Sequence, residues 1–228
     1  MKNILKSIGL FFLVSILSAN SFGISISKIA IDNGKAFGLS NNRPFIHAAD
    51  GSLHVVYSAK DSNNNNEIYY LRSHDEGKNW SAAYNVSNTE AGSSEPSIIT
   101  DALNRLYVFW EDDGRILFRS SNDGGHNWGS VFEISDENPK SKKVSAAADS
   151  EGNVFAVWES NGKIIFRQYE AENRKWTGLY NLSKPYVDSH SPDLALDKEG
   201  NIHVAWEEGS KIFYRQYFAK QKQWSGVI

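Results

Sequence analysis

The chain has 228 residues, a formal net charge of −3, seven tryptophans and no cysteine. Lack of cysteine excludes disulfides, thiol catalysis, a thiolate metal site and a lipid-modified cysteine. With no basic block anywhere, nucleic acid is excluded as the expected partner.

The N-terminus has the pattern of an export signal. Lys2 and Lys6 form a basic start, Ile8 to Ile16 is apolar apart from Gly9 and Ser15, and the small-residue stretch Ser18 to Ser21 follows. Cleavage is expected after Ala19, or failing that after Gly23, so residues 1–23 read as a leader. The remainder, 24–228, reads as one domain secreted to the extracellular space or periplasm. The apolar run is too short for a comfortable membrane span and no second one follows, so no transmembrane segment is expected after signal removal. Without Lys2 and Lys6 the balance is 22 basic against 27 acidic residues. Some 200 residues suffice for a domain held by its core alone.

Ile24 to Ile31 is strand-like, and from there a repeat takes over. Trp80, Trp128, Trp176 and Trp224 recur every 48 residues, as do Asp101, Asp149 and Asp197; Trp110, Trp158 and Trp206; Glu111, Glu159 and Glu207; and Arg119, Arg167 and Arg215. Tyr57 stands for the first member of the second Trp series, displaced by an insertion around Asn63 to Asn66. A fixed period of this length marks a repeat architecture. Within the third repeat, Ser145 to Ala148 predicts a first strand, Asp149 to Gly152 a turn, and Val154 to Trp158 a second strand. Ile164 to Tyr169 then predicts a third strand and Leu179 to Leu182 a fourth. The second strands are apolar on both faces and must be covered on both. Stacking and radial closure of such sheets predicts an all-β fold, a β-propeller of about four four-stranded antiparallel blades. The repeats run over about 43–90, 91–138, 139–186 and 187–228. Ile29 to Ile31 is similar to Tyr84 to Val86, Phe132 to Ile134 and Tyr180 to Leu182, so the N-terminal strand is expected to complete the last blade. A closed four-bladed ring and a piece of a longer propeller both remain open.

Two of the turns between third and fourth strands carry a motif. Ser73-His-Asp75-Glu-Gly77-Lys-Asn-Trp80 and Ser121-Asn-Asp123-Gly-Gly125-His-Asn-Trp128 both fit Ser-x-Asp-x-Gly-x-x-Trp. This pattern resembles the Asp-box, or bacterial neuraminidase repeat, of sialidase-type propellers. In the third and fourth repeats only the Trp survives. The residue types are those of a turn: Ser and Asp bond to backbone groups, Gly takes a left-handed conformation, and Trp buries a large ring. The resemblance implies that the boxes lie away from an active site. It further implies a sialidase set of three carboxylate-clamping arginines, a Tyr–Glu nucleophile pair and an Asp acid/base. Only Arg43, in Arg43-Pro44-Phe-Ile46, loosely matches the family's first arginine motif, and it lacks the intervening Ile. Arg119, Arg167 and Arg215 are repeat-locked and are expected to make one ion pair or blade-to-blade contact three times over.

Strand alternation puts the boxes and the Asp-Gly turns on one face and the interblade loops on the other. The loop face is expected to gather Arg43, Lys60 to Asn66, Glu95, Glu111, Asp112, Asp113, Glu159, Asp188, His190, Glu207 and Glu208. Glu111, Glu159 and Glu207 either line a cation or sugar-hydroxyl site or are solvated strand ends. His190 has no second His or Cys at ligand spacing, so neither a metal nor another cofactor is expected. The expectation is a non-catalytic propeller that binds a glycan or protein ligand through its loop face; the alternative is a divergent or truncated sialidase-like glycosidase.

Overall fold

The structure is a computed structural model that describes residues 43–136, 140–184 and 187–228. The leader and the strand expected at Ile24 to Ile31 lie outside these residues. Among the described residues every regular element is a β-strand. The first sheet orders β1 (Phe45–His47), β2 (Leu53–Lys60), β3 (Asn66–Ser73) and β4 (Tyr84–Asn85). The second orders β5 (Ser93–Thr100), β6 (Leu106–Asp112), β7 (Arg115–Ser121) and β8 (Phe132–Glu133). In the third, β9 (Ser141–Ala148), β10 (Val154–Ser160) and β11 (Lys163–Glu170) are followed by two short pieces, β12 (Lys175–Trp176) and β13 (Tyr180–Asn181), both paired with β11. The fourth orders β14 (Ser189–Leu196), β15 (Ile202–Glu208), β16 (Lys211–Phe218) and β17 (Gln223–Trp224). All pairings are antiparallel. These are the four blades of a β-propeller. The expected long fourth strand, Leu179 to Leu182, is instead the two-residue β13, and β12 was not anticipated.

Blade stacking explains why the second strands are apolar on both faces. In β10, Val154, Ala156 and Trp158 pack into the cluster shared with the preceding blade, while Phe155 and Val157 pack into the one shared with the next. Successive residues of a strand point to opposite faces, so one apolar strand serves two interfaces. First strands of neighbouring blades lie against one another, β1 on β5, β5 on β9 and β9 on β14, which places them innermost along the axis. Among the described residues no comparable packing joins the first blade to the fourth.

Each seam between blades carries the same lock. Nε of Arg119, Arg167 and Arg215 donates to a carbonyl of its own blade, that of Gly129 (2.6 Å), Thr177 (2.7 Å) or Ser225 (3.0 Å). Nη1 of the same residues donates across the seam to the carbonyl of Val86 (2.8 Å), Ile134 (2.8 Å) or Leu182 (3.2 Å). The contact is the repeated blade-to-blade one, made to carbonyls rather than carboxylates. Beside it, Trp128, Trp176 and Trp224 meet Tyr70, Phe118 and Phe166 of the preceding blade edge-on at 5.0–5.4 Å. Such ring pairs contribute about 0.5–1.5 kcal/mol beyond burial.

In the last blade, Ile228 exchanges backbone hydrogen bonds with Tyr214 (3.0 and 3.1 Å), as Tyr180 pairs with Phe166 one blade earlier. Ile228 thus stands at the repeat position of Tyr180. Among the described residues no helix is long and apolar enough to cross a membrane.

Candidate functional site

Turn chemistry fixes which face is available for a site. In the first box, Gly77 N donates to Ser73 Oγ (2.9 Å) and Asn79 N to Asp75 Oδ1 (2.8 Å), while Ser73 Oγ also bonds Asp75 (2.8 Å). The second repeats this with Ser121, Asp123, Gly125 and Asn127. These bonds hold both Asp75 and Asp123 at a pKa of about 2, below the usual carboxylate value, the bonds from Asn79 and Asn127 being the main cause. Trp80 Nε1 donates to Gly77 O (3.1 Å). The box residues are therefore committed to the turn. The box face also holds a shallow cavity of about 300 Å³ lined by Arg105, Asn122, Tyr169 and Arg174. Its Arg105 is engaged by Asp101 (2.5 Å) and Glu151 O (3.3 Å).

On the opposite face the inner strands end in bulges. Register slips in β5, β9 and β14, and Glu95, Lys143 and Ser191 there have φ of +51°, +55° and +51°. These three lie 48 residues apart, one per blade. A bulge re-aims side chains and is a common device beside binding sites. Here it connects blades: Lys143 Nζ donates to Ser191 Oγ (3.0 Å), and Ser145 Oγ to Asp193 Oδ1 (2.8 Å).

The three repeat-locked glutamates are not equivalent. Glu159 is 3% exposed. Its Oε1 lies 3.0 Å from His190 Nδ1 and 3.2 Å from Lys142 Nζ, with Lys143 Nζ 3.9 Å from Oε2. Burial alone would raise its pKa, but the bonds from His190 and Lys142 outweigh this and lower it. Among the described residues, Oε2 accepts no hydrogen bond. Glu111, half-buried, has its pKa raised by burial first and then by the Glu95 and Glu159 charges, with Lys142 opposing. Glu207 is exposed and pairs across the ladder with His190. The solvated strand-end explanation therefore fails for Glu159 and holds for Glu207.

Two other acids expected on the open surface are buried instead. Asp112 bonds Thr89 Oγ1 (2.6 Å), Ser93 Oγ (3.0 Å) and Arg115 (2.9 Å). Glu208 bonds Ser189 Oγ (3.1 Å) and Trp206 Nε1 (2.9 Å). Both sit one residue past the glutamate position, where strand alternation turns the side chain into the seam. The insertion loop closes on itself, Asp61 Oδ1 accepting from Asn63 N (2.8 Å) and Asn65 N (2.9 Å).

The structure thus brings Glu95, Glu111, Glu159 and His190 into one electrostatic neighbourhood with Lys142 and Lys143, which the sequence analysis did not single out. The lysines gave no signal, because their repeat positions hold different residue types. Arg43 is placed along the axis, in a cavity of about 360 Å³ lined also by Phe45, His47, Ile99, Thr100 and Ala148. Its backbone joins the first two blades, Ile98 N donating to Arg43 O (2.8 Å). Among the described residues no cluster of three or more metal-ligating side chains occurs.

Comparison with curated proteins finds no match. Among solved structures, the chain is similar to the NanB sialidase from Streptococcus pneumoniae, with 18% identity, a TM-score of 0.53, and 73% of this chain aligned to 27% of that one. It is similar to an intramolecular trans-sialidase from Ruminococcus gnavus, with 17% identity, a TM-score of 0.54, and coverage of 75% and 41%. An ulvan lyase described as a new polysaccharide lyase family gives 12% identity, a TM-score of 0.57, and coverage of 80% and 56%. The chain spans between about a quarter and just over half of these structures, and at such identities the likeness is one of fold. Residues 25–204 match the family described as BNR repeat-like domain. With that match, two intact Asp-boxes and a blade-per-repeat architecture, the chain belongs to the BNR repeat-like family of sialidase-type Asp-box propellers.

Proposed function

We propose that this is an exported, non-catalytic propeller that binds a carbohydrate on its loop face, at the axial cluster around Glu159. The observation that carries the proposal is the mixed character of the cluster. A buried carboxylate with an unused acceptor atom lies beside the donors Lys142, Lys143 and His190. A sugar hydroxyl donates and accepts at once, so it can satisfy both kinds of group. Family membership and the sialidase and polysaccharide-lyase likenesses support carbohydrate as the ligand class. Export rests on the basic and apolar pattern of residues 1–23.

The non-catalytic reading rests on the arginines. Arg119, Arg167 and Arg215 spend their guanidinium groups on interblade carbonyls, so they do not converge on one anion. Arg43 in the axial cavity favours a second reading, a glycosidase in which Arg43 binds an acidic sugar.

A glycan array followed by titration calorimetry tests the first reading. Binding of one saccharide class is expected, weakened at least about tenfold by Glu159→Gln and by His190→Ala with the fold retained. No saccharide binding at all, or binding indifferent to both variants, would remove the assignment. Release of a fluorogenic aglycone from a sialoside, abolished by Arg43→Ala, would establish the second reading instead.

A further inference from the structure

The turn between the first and second strands of blade two departs from its repeat counterparts at one residue. Where blades three and four hold Asn153 and Asn201, this turn holds Arg105. Each asparagine braces a box-free turn, its Oδ1 accepting from Ala171 N or Ala219 N (3.0 Å each). Blade two has an intact box, in which Asp123 N donates to Ser121 Oγ (3.4 Å), so no such brace is needed. Arg105 reaches across the seam instead. Its Nε donates to Asp101 Oδ2 (2.5 Å) and its Nη2 to Glu151 O of blade three (3.3 Å). Gly152 makes room for it, since a Cβ there would fall 1.5 Å from Nη2. The guanidinium is thus held before any ligand arrives, which spares the entropy of ordering a long side chain on binding.

Beside this fixed arginine lies the box-face cavity of about 300 Å³, lined also by Asn122, Tyr169, Ala171 and Arg174. No carboxylate lines it. Arg174 stands at a left-handed position, φ +51°. Among the described residues, its guanidinium, the Asn122 amide and the Tyr169 hydroxyl make no hydrogen bond. A guanidinium only donates, and an amide and a hydroxyl can donate as well, so the cavity offers an excess of donors. One blade on, the same positions are filled differently. Asn153 and Glu170 stand for Arg105 and Asn122, and Lys222 for Arg174. With an acid gained and both guanidinium groups lost, that seam lacks the donor excess, which is therefore particular to blades two and three.

We propose that this cavity binds one oxyanion group, a sulfate or a carboxylate, carried on a sugar ring. A guanidinium can meet either group with two parallel charge-assisted bonds. The volume is at the lower end for small-ligand sites, enough for one sugar residue. The oxyanion follows from the residues of the cavity itself, while the sugar ring rests on the carbohydrate reading of the loop face. Because the cavity is on the face opposite Glu159, the two sites are separable by mutation.

Titration calorimetry of the full chain with a glucose sulfate ester, glucuronate, inorganic sulfate and uncharged glucose tests this. At least one of the two charged sugars should bind, at least about tenfold more tightly than glucose or inorganic sulfate. The tighter of the two identifies the anion as sulfate or carboxylate. Arg174→Gln and Asn122→Glu should each weaken that binding at least about tenfold. Both residues are exposed and their side chains hold no other group, so folding survives the changes. Absence of binding by either charged sugar up to about 10 mM would overturn the proposal, as would binding indifferent to both variants. Inorganic sulfate bound as tightly as the sugars would remove the ring from the assignment and overturn it too. Charged-sugar binding abolished by Glu159→Gln would move the anion to the loop face and end the box-face site. Binding that needs Arg174 but not Glu159 supports the box-face site even where no saccharide binds the loop face.

Discussion

In the first two blades the turn after the third strand closes on itself, whereas in the last two it leans on the neighbouring turn of the same blade. Ser73 and Asp75, or Ser121 and Asp123, satisfy the backbone N–H groups from within the box, and Gly77 and Gly125 take the left-handed position at φ +81°. Without a box, Ala171 N and Ala219 N instead donate to Asn153 Oδ1 and Asn201 Oδ1 (3.0 Å each), from the turn between first and second strands. The left-handed position moves to Arg174 and Lys222, at φ +51° and +52°. Both solutions deliver a tryptophan to the same place against the preceding blade, and so the Trp outlasts the box. What the repeat conserves is the seam, and a turn is acceptable in any form that feeds it.

The largest effect that separates the two boxes is expected at their glycines. A Cβ on Gly125 would fall 2.0 Å from the Tyr70 hydroxyl, whereas one on Gly77 would meet Leu53 Cδ1 at an ordinary 3.5 Å. Both positions carry the left-handed strain of about 1 kcal/mol, but only Gly125 adds a clash with a buried ring in the seam. Gly125→Ala should therefore lower stability in urea unfolding by roughly 3–4 kcal/mol, and Gly77→Ala by about 1 kcal/mol. Equal losses would mean that the second box does not bear on the seam.

The same seam should respond to acid. His54 is buried against Ser52 and Tyr70 (2.7 Å to each), and Tyr70 OH bonds Gly124 O of the second box (3.3 Å). Burial lowers the His54 pKa from 6.5 to about 4. Between those values the unfolded chain takes up a proton that the folded chain refuses. Stability from this group is complete above pH 6.5 and is lost as pH falls toward 4, by about 3 kcal/mol in all. Urea midpoints measured between pH 7 and pH 4.5 should decline accordingly, and His54→Asn should flatten the slope. A slope unchanged in that variant would remove His54 as the cause.

How much was legible in the sequence differs between scaffold and site for a physical reason. Every blade needs the same turn, the same Trp and the same arginine, so the 48-residue spacing exposes the fold and predicts Arg119, Arg167 and Arg215 as repeated interblade contacts. The site is built from what does not repeat. Lys143 shares its bulge position with Glu95 and Ser191, and nothing in a sequence of unlike residues announces a shared backbone conformation. Glu159 and Glu207 are indistinguishable by spacing, yet one is buried by two lysines and a histidine and the other is solvated. Side-chain partners that come from neighbouring blades and meet near the axis become visible only once the inner strands are placed.

The smallest expected effect tests whether the box-free turns depend on their neighbours. Asn153 Oδ1 accepts from Ala171 N, while its Nδ2 donates to Asp149 Oδ2 (2.7 Å). Asn153→Ala removes a cap from one turn and a brace from another, at a cost of about 1–2 kcal/mol, as for loss of a helix cap. The box-bearing counterpart is Asn79→Ala, where the backbone N–H of residue 79 still reaches Asp75 and only the exposed amide bond (2.6 Å) is lost. That change should stay within about 0.5 kcal/mol, as exposed surface substitutions do. Thermal unfolding of the two variants gives the comparison directly. A cost at Asn79 equal to that at Asn153 would show that the box, too, leans on side chains outside its Ser-Asp-Gly core, and that the two kinds of turn differ in residue type but not in self-sufficiency.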